Sequence, residues 1–182
     1  DGNPNVTSDT TLKVAQALHA SLLRCYYGDV RQLKRRLTFK GVDTLVAGLE
    51  SLLYNKIFLP LQDTKLSKDM LLQPLQQIRE ILIYEHGNLF LSLVDDLINK
   101  VHAFGVHFST LDVRQESSVH SAVLNTIAEK EAEWRGYHEM PTEEKIGFLT
   151  TIPAKVNPDA YEGVVRDTLH SIDTIKTIQD NY

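Results

Sequence analysis

The feature that most constrains this chain is a change of period. From Leu12 to Val101 apolar residues recur at three-and-four spacing, and from Val106 to Val113 that spacing gives way to alternation. A period of 3.6 gathers side chains on one helix face, whereas a period of two throws them alternately to both faces of a strand. A chain that switches once is expected to be mainly α with a single strand. A lone strand cannot satisfy its own backbone N–H and C=O groups. The expectation is therefore a piece of a larger fold that supplies the partner strands. The opening at Asp1, without Met and inside turn-forming residues, suggests the same.

The helical stripes can be followed in order. Leu12, Ala15, Leu18, Leu22, Cys25 and Tyr26 predict a first helix that stops at Gly28, with a shorter one over Val30–Leu37. Cys25 reads as a buried small hydrophobe within that stripe. Val42, Leu45, Val46, Leu49, Leu52 and Leu53 mark the next helix. A loop is expected over Leu59–Lys65, punctuated by Pro60. Ser67 is a good N-cap for a helix towards Tyr84, carrying Leu71, Leu75, Ile78, Ile81 and Leu82. Pro74 is expected to kink that helix unless it falls in the first turns. Gly87 separates it from a helix with Phe90, Leu93, Val94, Leu97, Ile98 and Val101, which Gly105 caps.

Beyond the strand, Ser117 or Ser118 is expected to cap a helix through Val119, Val123 and Ile127. Lys130–Glu139 reads as charged and irregular, and Pro141 opens a short helix towards Leu149. Pro153–Pro158 is a connection. A last helix over Asp159–Gln179 would turn Val164, Val165, Leu169, Ile172 and Ile175 inward. On the strand, Phe108, Thr110, Asp112 and Arg114 share one side, and His107, Ser109, Leu111 and Val113 the other.

Composition excludes several classes. The formal net charge of −5 argues against a nucleic-acid surface, which needs a clustered basic field. The densest basic stretch, Arg31, Lys34, Arg35 and Arg36, reads as a solvated helix face. A single cysteine allows no intrachain disulfide, which is compatible with a cytoplasmic protein. No apolar run reaches the length of a membrane span. His102 and His107 lack a carboxylate or thiolate at ligand spacing, so no metal site is expected there.

Two segments are more specific. Residues 1–7 read Asp-Gly-Asn-Pro-Asn-Val-Thr, and residues 111–117 read Leu-Asp-Val-Arg-Gln-Glu-Ser. The first resembles the segment that phosphoenolpyruvate carboxylases carry after a Gly-Gly-Asp-Arg. The second resembles the same family's Leu-Asp-Ile-Arg-Gln-Glu-Ser, with Val113 a conservative exchange, and His120 and Phe104-Gly105 also fit. The two occur in the family's order.

The resemblance implies an internal fragment of a carboxylase that makes oxaloacetate and phosphate from phosphoenolpyruvate and bicarbonate, with Mg²⁺ or Mn²⁺ in the parent enzyme. It implies a mainly α fold: a helical region over 1–105, a barrel strand and active-site Arg over 106–117, and a helical region over 118–182. The strand would be one of a parallel (β/α)₈-type barrel, with Arg114 at its carboxyl end, where such barrels hold their sites. Arg114 is implied as the substrate-binding and catalytic residue, since guanidinium grips phosphate oxygens bidentately at any working pH. Asp112 would orient it. Gln115, Asp1 and Asn3 are further candidates. The parent is expected to be a cytoplasmic, allosteric homotetramer whose partners are its own remaining chain and its substrates, with no nucleic acid and no membrane. The family's Thr-Ala-His-Pro-Thr segment and its Gly-rich loop do not occur in the sequence. The chain alone is therefore expected to bind no metal and to be inactive. Read without the resemblance, the same residues fit a free-standing helical interaction module or a small-anion-binding domain built around Arg114.

Overall fold

A computed structural model describes residues 6–59, 65–151 and 156–181, so Asp1 and Asn3 lie outside the described residues. The chain divides into two compact units, one of Lys13–Leu111 with Asp180–Tyr182, the other of Asp1–Leu12 with Asp112–Gln179.

The first unit is built on α1 (Ser8–Arg36), α2 (Val42–Phe58), α3 (Lys68–Glu85) and α4 (Leu91–Phe104). Helix α2 packs on α3, and α3 on α4. Their apolar faces merge into one core containing Tyr26, Val30, Leu33, Val46, Leu53, Ile78, Leu82, Val94 and Val101. Ser67 caps α3 as expected, its hydroxyl accepting from the Met70 N–H. Gly87 and Gly105 lie at positive φ, 56° and 57°, where a side chain would be strained, and this is why the helices end at them.

Two expectations do not hold in this unit. Helix α1 does not stop at Gly28 but runs unbroken to Arg36. Val30 and Leu33 continue the buried face of Leu22, Leu23 and Tyr26 across the glycine. Their burial outweighs the roughly 1 kcal/mol that a mid-helix glycine costs. Cys25 is exposed. The buried face centres on Tyr26, and Cys25 is turned away from it along the helix. Pro74 lies inside α3, which extends on both sides of it.

The second unit carries α5 (Ser117–Lys130), α6 (Thr142–Thr151) and α7 (Gly163–Asn181), with short 3₁₀ turns at Ala132–Trp134, Tyr137–Glu139 and Pro158–Ala160. Its smaller core joins Val123, Ile127, Trp134, Tyr137 and Tyr161, against which Phe148, Val165 and Leu169 pack. The expected irregular stretch over Lys130–Glu139 thus contributes two core aromatics. Glu116, rather than Ser117 or Ser118, holds the N-cap position of α5. On α7 the inward face is Val165, Thr168 and Leu169, while Val164 and Ile172 are 59% and 49% exposed. Val164 lies about a quarter turn off that face. Ile172 shares the face but extends beyond Leu169, the last α7 residue packed on the core.

The expected strand over Val106–Val113 is not formed, and no strand occurs among the described residues. The chain turns at 105–107, bends at 108–109 and runs irregularly from Thr110 to Glu116. Phe108 sits at φ 74°, in the left-handed region, which breaks strand alternation. Without a neighbouring strand to share the backbone hydrogen bonds, the alternating pattern has nothing to pair with.

Leu82 is fully buried, and Tyr84, two residues on, is 84% exposed. Leu82→Ala is expected to lower stability by about 2–5 kcal/mol in urea unfolding, whereas Tyr84→Ser stays within about 0.5 kcal/mol.

Candidate functional site

Between Thr110 and Glu116 the backbone has neither helix nor strand, and α5 follows directly. The carbonyl of Glu116 starts that helix by accepting from the N–H groups of Val119 and His120, at 3.1 and 3.3 Å. The chain is therefore held at the C-terminal end of the segment by ordinary helix initiation.

Within the segment Arg114 donates to one oxygen of Asp112 twice, from Nε at 2.7 Å and from Nη2 at 2.6 Å. This is the pairing the sequence suggested. The two side chains are 80% and 68% exposed, so solvent screens the attraction and the pair adds little to stability. What it does is fix a direction. A guanidinium anchored by two of its five N–H donors offers the others to solvent in a planar array, which suits a phosphate or carboxylate.

Gln115 is held differently. Its Nε2 donates to the hydroxyl of Thr168 on α7 at 3.5 Å, and its Oε1 accepts from the Glu116 N–H at 3.3 Å. Thr168 is 3% exposed, the buried polar side chain among the described residues. Gln115 thus ties the segment to α7. Sequence reasoning did not single out Thr168; its signal was a hydroxyl interrupting the Val165–Leu169 apolar stripe. His120 is exposed on α5.

The unit behind the segment is braced by Tyr161. Its ring is buried, its hydroxyl donates to Glu131 Oε1 at 3.0 Å, and the Lys130 ammonium lies 4.8 Å from the ring centre. Burial first, and then the Glu131 carboxylate, push the Tyr161 hydroxyl up to about 12.

The basic stretch of α1 borders a shallow groove of about 460 Å³ lined by Gly28, Arg31, Gln32, Arg35 and Arg36. Arg31 and Lys34 both pair with Glu50. The Arg31 and Arg36 guanidiniums lie 5.8 and 5.9 Å from the rings of Tyr27 and Phe90. The groups are satisfied locally, in keeping with a solvated face. Among the described residues no group of three His, Cys, Asp or Glu gathers as a metal donor set, and no helix is long and apolar enough to cross a membrane.

The fold and the segment together define a helical scaffold that presents an oriented guanidinium on an extended stretch of chain. The family model for phosphoenolpyruvate carboxylase matches residues 55–182, which include that stretch. Proteins named phosphoenolpyruvate carboxylase are similar over most of the chain. The one from Vibrio atlanticus (strain LGP32) is 29% identical over 177 residues, covering 82% of this chain and 20% of that protein. That of Vibrio vulnificus (strain YJ016) is 27% identical over 190 residues, covering 87% and 21%. A third, from Nitrosomonas eutropha, is 25% identical, covering 82% and 20%. No solved structure matches at the same stringency. The chain belongs to the phosphoenolpyruvate carboxylase family, and it spans about a fifth of the length of these relatives.

A raised tyrosine value has a definite consequence for stability. A group that holds its proton more tightly when folded contributes fully below its unfolded value, near 10, and loses that contribution as pH rises through the folded one. Thermal melts from pH 9 to 12 are expected to show a steep loss between about 10 and 12. Tyr161→Phe should lessen that loss without abolishing it, since Tyr26 is pushed up to about 12 as well.

Proposed function

We propose that this chain is the part of a phosphoenolpyruvate carboxylase that supplies the phosphate-anchoring arginine. The parent forms oxaloacetate and phosphate from phosphoenolpyruvate and bicarbonate, with carbon–carbon bond formation as the net chemistry. The observation that carries the reading is Arg114, oriented by Asp112 inside the Leu-Asp-Val-Arg-Gln-Glu-Ser segment. Phosphoenolpyruvate carries a phosphate and a carboxylate, and the phosphoryl group moves to an anionic acceptor. A fixed guanidinium offsets charge as it shifts among the transferring oxygens, and needs no reorganisation to do so. Asp112 limits the rotamers of Arg114 before substrate arrives.

The divalent cation that the reading calls for in the parent, Mg²⁺ or Mn²⁺, does not fit the donor groups of the described residues. No step at Arg114 is routed through it. Leu111, Val113 and Phe108 are 37%, 47% and 45% exposed beside backbone with no ladder partners. That combination supports a strand position for 106–113 in a barrel completed by the rest of the parent. Cytoplasmic location, a homotetrameric parent and allosteric control belong to the same reading.

A second reading, a free-standing helical interaction module, draws support from Tyr54 and Phe58, which are 46% and 53% exposed and cluster with Tyr27. It predicts a parent without carboxylase activity.

The test is bicarbonate-dependent oxaloacetate formation by the parent polypeptide with Mg²⁺, coupled to malate dehydrogenase. Arg114→Gln is expected to lose a hundredfold or more, the scale of one lost transition-state donor, about 2.7–4 kcal/mol. Asp112→Asn keeps the acceptor and loses its charge, so a smaller loss of roughly tenfold is expected. The chain alone should form no oxaloacetate. Full activity in Arg114→Gln would return the residue to a surface role.

A further inference from the structure

Three residues on one face of α1 grip the end of α4 and the backbone beyond it. Asp29 receives the Lys100 ammonium at 2.9 Å. The Tyr26 hydroxyl donates to the Gly105 carbonyl at 2.8 Å, with the Lys100 carbonyl beside it at 3.3 Å. His19 Nδ1 lies 2.6 Å from the Val106 carbonyl. A carbonyl only accepts, so Nδ1 carries the proton and the imidazole donates. His19 and Tyr26 are seven residues apart, two helical turns, which places them on the same face. Two successive carbonyls are thereby fixed from a single helix.

These are not only the orphan carbonyls of a helix end. Gly105 N–H already closes on Val101 O. The gripped groups belong to Gly105 and Val106, where the chain has left α4. The backbone that follows is over-determined. Gly105 is at φ 57°, and Phe108 at φ 74° with its ring stacked on Phe104, centroids 5.5 Å apart at 7°. A bulky residue in the left-handed region is strained and persists only where its surroundings hold it. Tyr26 is 2% exposed and Val106 4%, whereas His19 is half-buried.

We infer that His19 and Tyr26 are positioning residues for the signature segment, holding its root at Gly105–Val106 and so restricting the stretch that carries Arg114. The inference rests on the reading of Arg114 as the phosphate anchor. Neither side chain touches substrate. They act on the backbone from which the segment departs, eight residues before Arg114 in the chain.

The experiment uses the full-length parent, with hydrogen–deuterium exchange of peptides covering residues 107–115 and steady-state kinetics on the same samples. Tyr26→Phe removes one donor without changing the core, and His19→Leu removes the other. His19→Asn restores an N–H near the position of Nδ1. Exchange at 107–115 is expected to quicken about tenfold in Tyr26→Phe and His19→Leu, with peptides from α3 unchanged. KM for phosphoenolpyruvate should rise about three- to tenfold, KM for bicarbonate should not move, and His19→Asn should recover most of both effects. These sizes are those of a single lost hydrogen bond. Unchanged exchange at 107–115 overturns the inference whatever the kinetics. Faster exchange with an unmoved KM for phosphoenolpyruvate also overturns it, because the restraint would then serve packing alone. If Arg114→Gln is silent, the anchor reading has failed instead. The exchange measurement separates the two failures, because it does not depend on activity.

Discussion

Tyr26 joins the two demands that shape the first unit. Its ring is buried against the apolar faces of the other helices, and its hydroxyl has to find an acceptor in that dry setting. An unpaired buried hydroxyl costs about 1–3 kcal/mol, so the Gly105 carbonyl is a requirement of the packing rather than an ornament of it. Burial first, and then the Asp29 carboxylate, push the hydroxyl up to about 12, so it stays a donor through the physiological range. The position of α4 against α1 follows, since Lys100 and Gly105 are both tied to the same stretch of α1.

His19 extends the same logic with a titratable group. Burial lowers its value from the ordinary 6.5, partly offset by the Val106 hydrogen bond, and nearby His107 lowers it further. A group depressed on folding contributes stability above its unfolded value and loses it as pH falls through the folded one. The neutral imidazole with its proton on Nδ1 is therefore the form compatible with the buried site near neutrality. The α1 face thus holds the exit of α4 with an uncharged donor at each carbonyl.

The helices were legible in the sequence because burial in this chain follows a single period, and stripes such as Leu71, Leu75, Ile78 and Leu82 map directly onto the core. What misled was local punctuation. Gly28 is a helix breaker by propensity, yet it sits in a helix whose flanking residues are buried on a common face, and tertiary packing overrode the local preference. The Lys130–Glu139 stretch read as charged and irregular because its charges outnumber its aromatics. Trp134 and Tyr137 are nonetheless core residues carried on short 3₁₀ turns, which have too few residues to display a period. The strand failed for another reason. Its alternation is present in Val106–Val113, but a strand is a property of a pair, and a pair cannot be read from one member. The Arg114–Asp112 contact was legible because residues two apart on extended chain share a side. The contact of Gln115 with Thr168 spans 53 positions and left no local trace.

The exposure of Arg114 sets the scale of what this chain contributes by itself. Two unit charges 4 Å apart attract by about 1 kcal/mol in bulk water and about 4 kcal/mol at an effective dielectric of 20. At 80% exposure the guanidinium belongs near the first limit, and the Asp112 carboxylate further offsets its field. Orientation is therefore what the segment provides, through Asp112 beside Arg114, Thr168 beside Gln115 and the α5 N-terminus after Glu116. In the proposed role as phosphate anchor, strength would come from walls that exclude water around the same guanidinium. Aim is set locally by backbone and neighbours, whereas dielectric is set by whatever closes over the site.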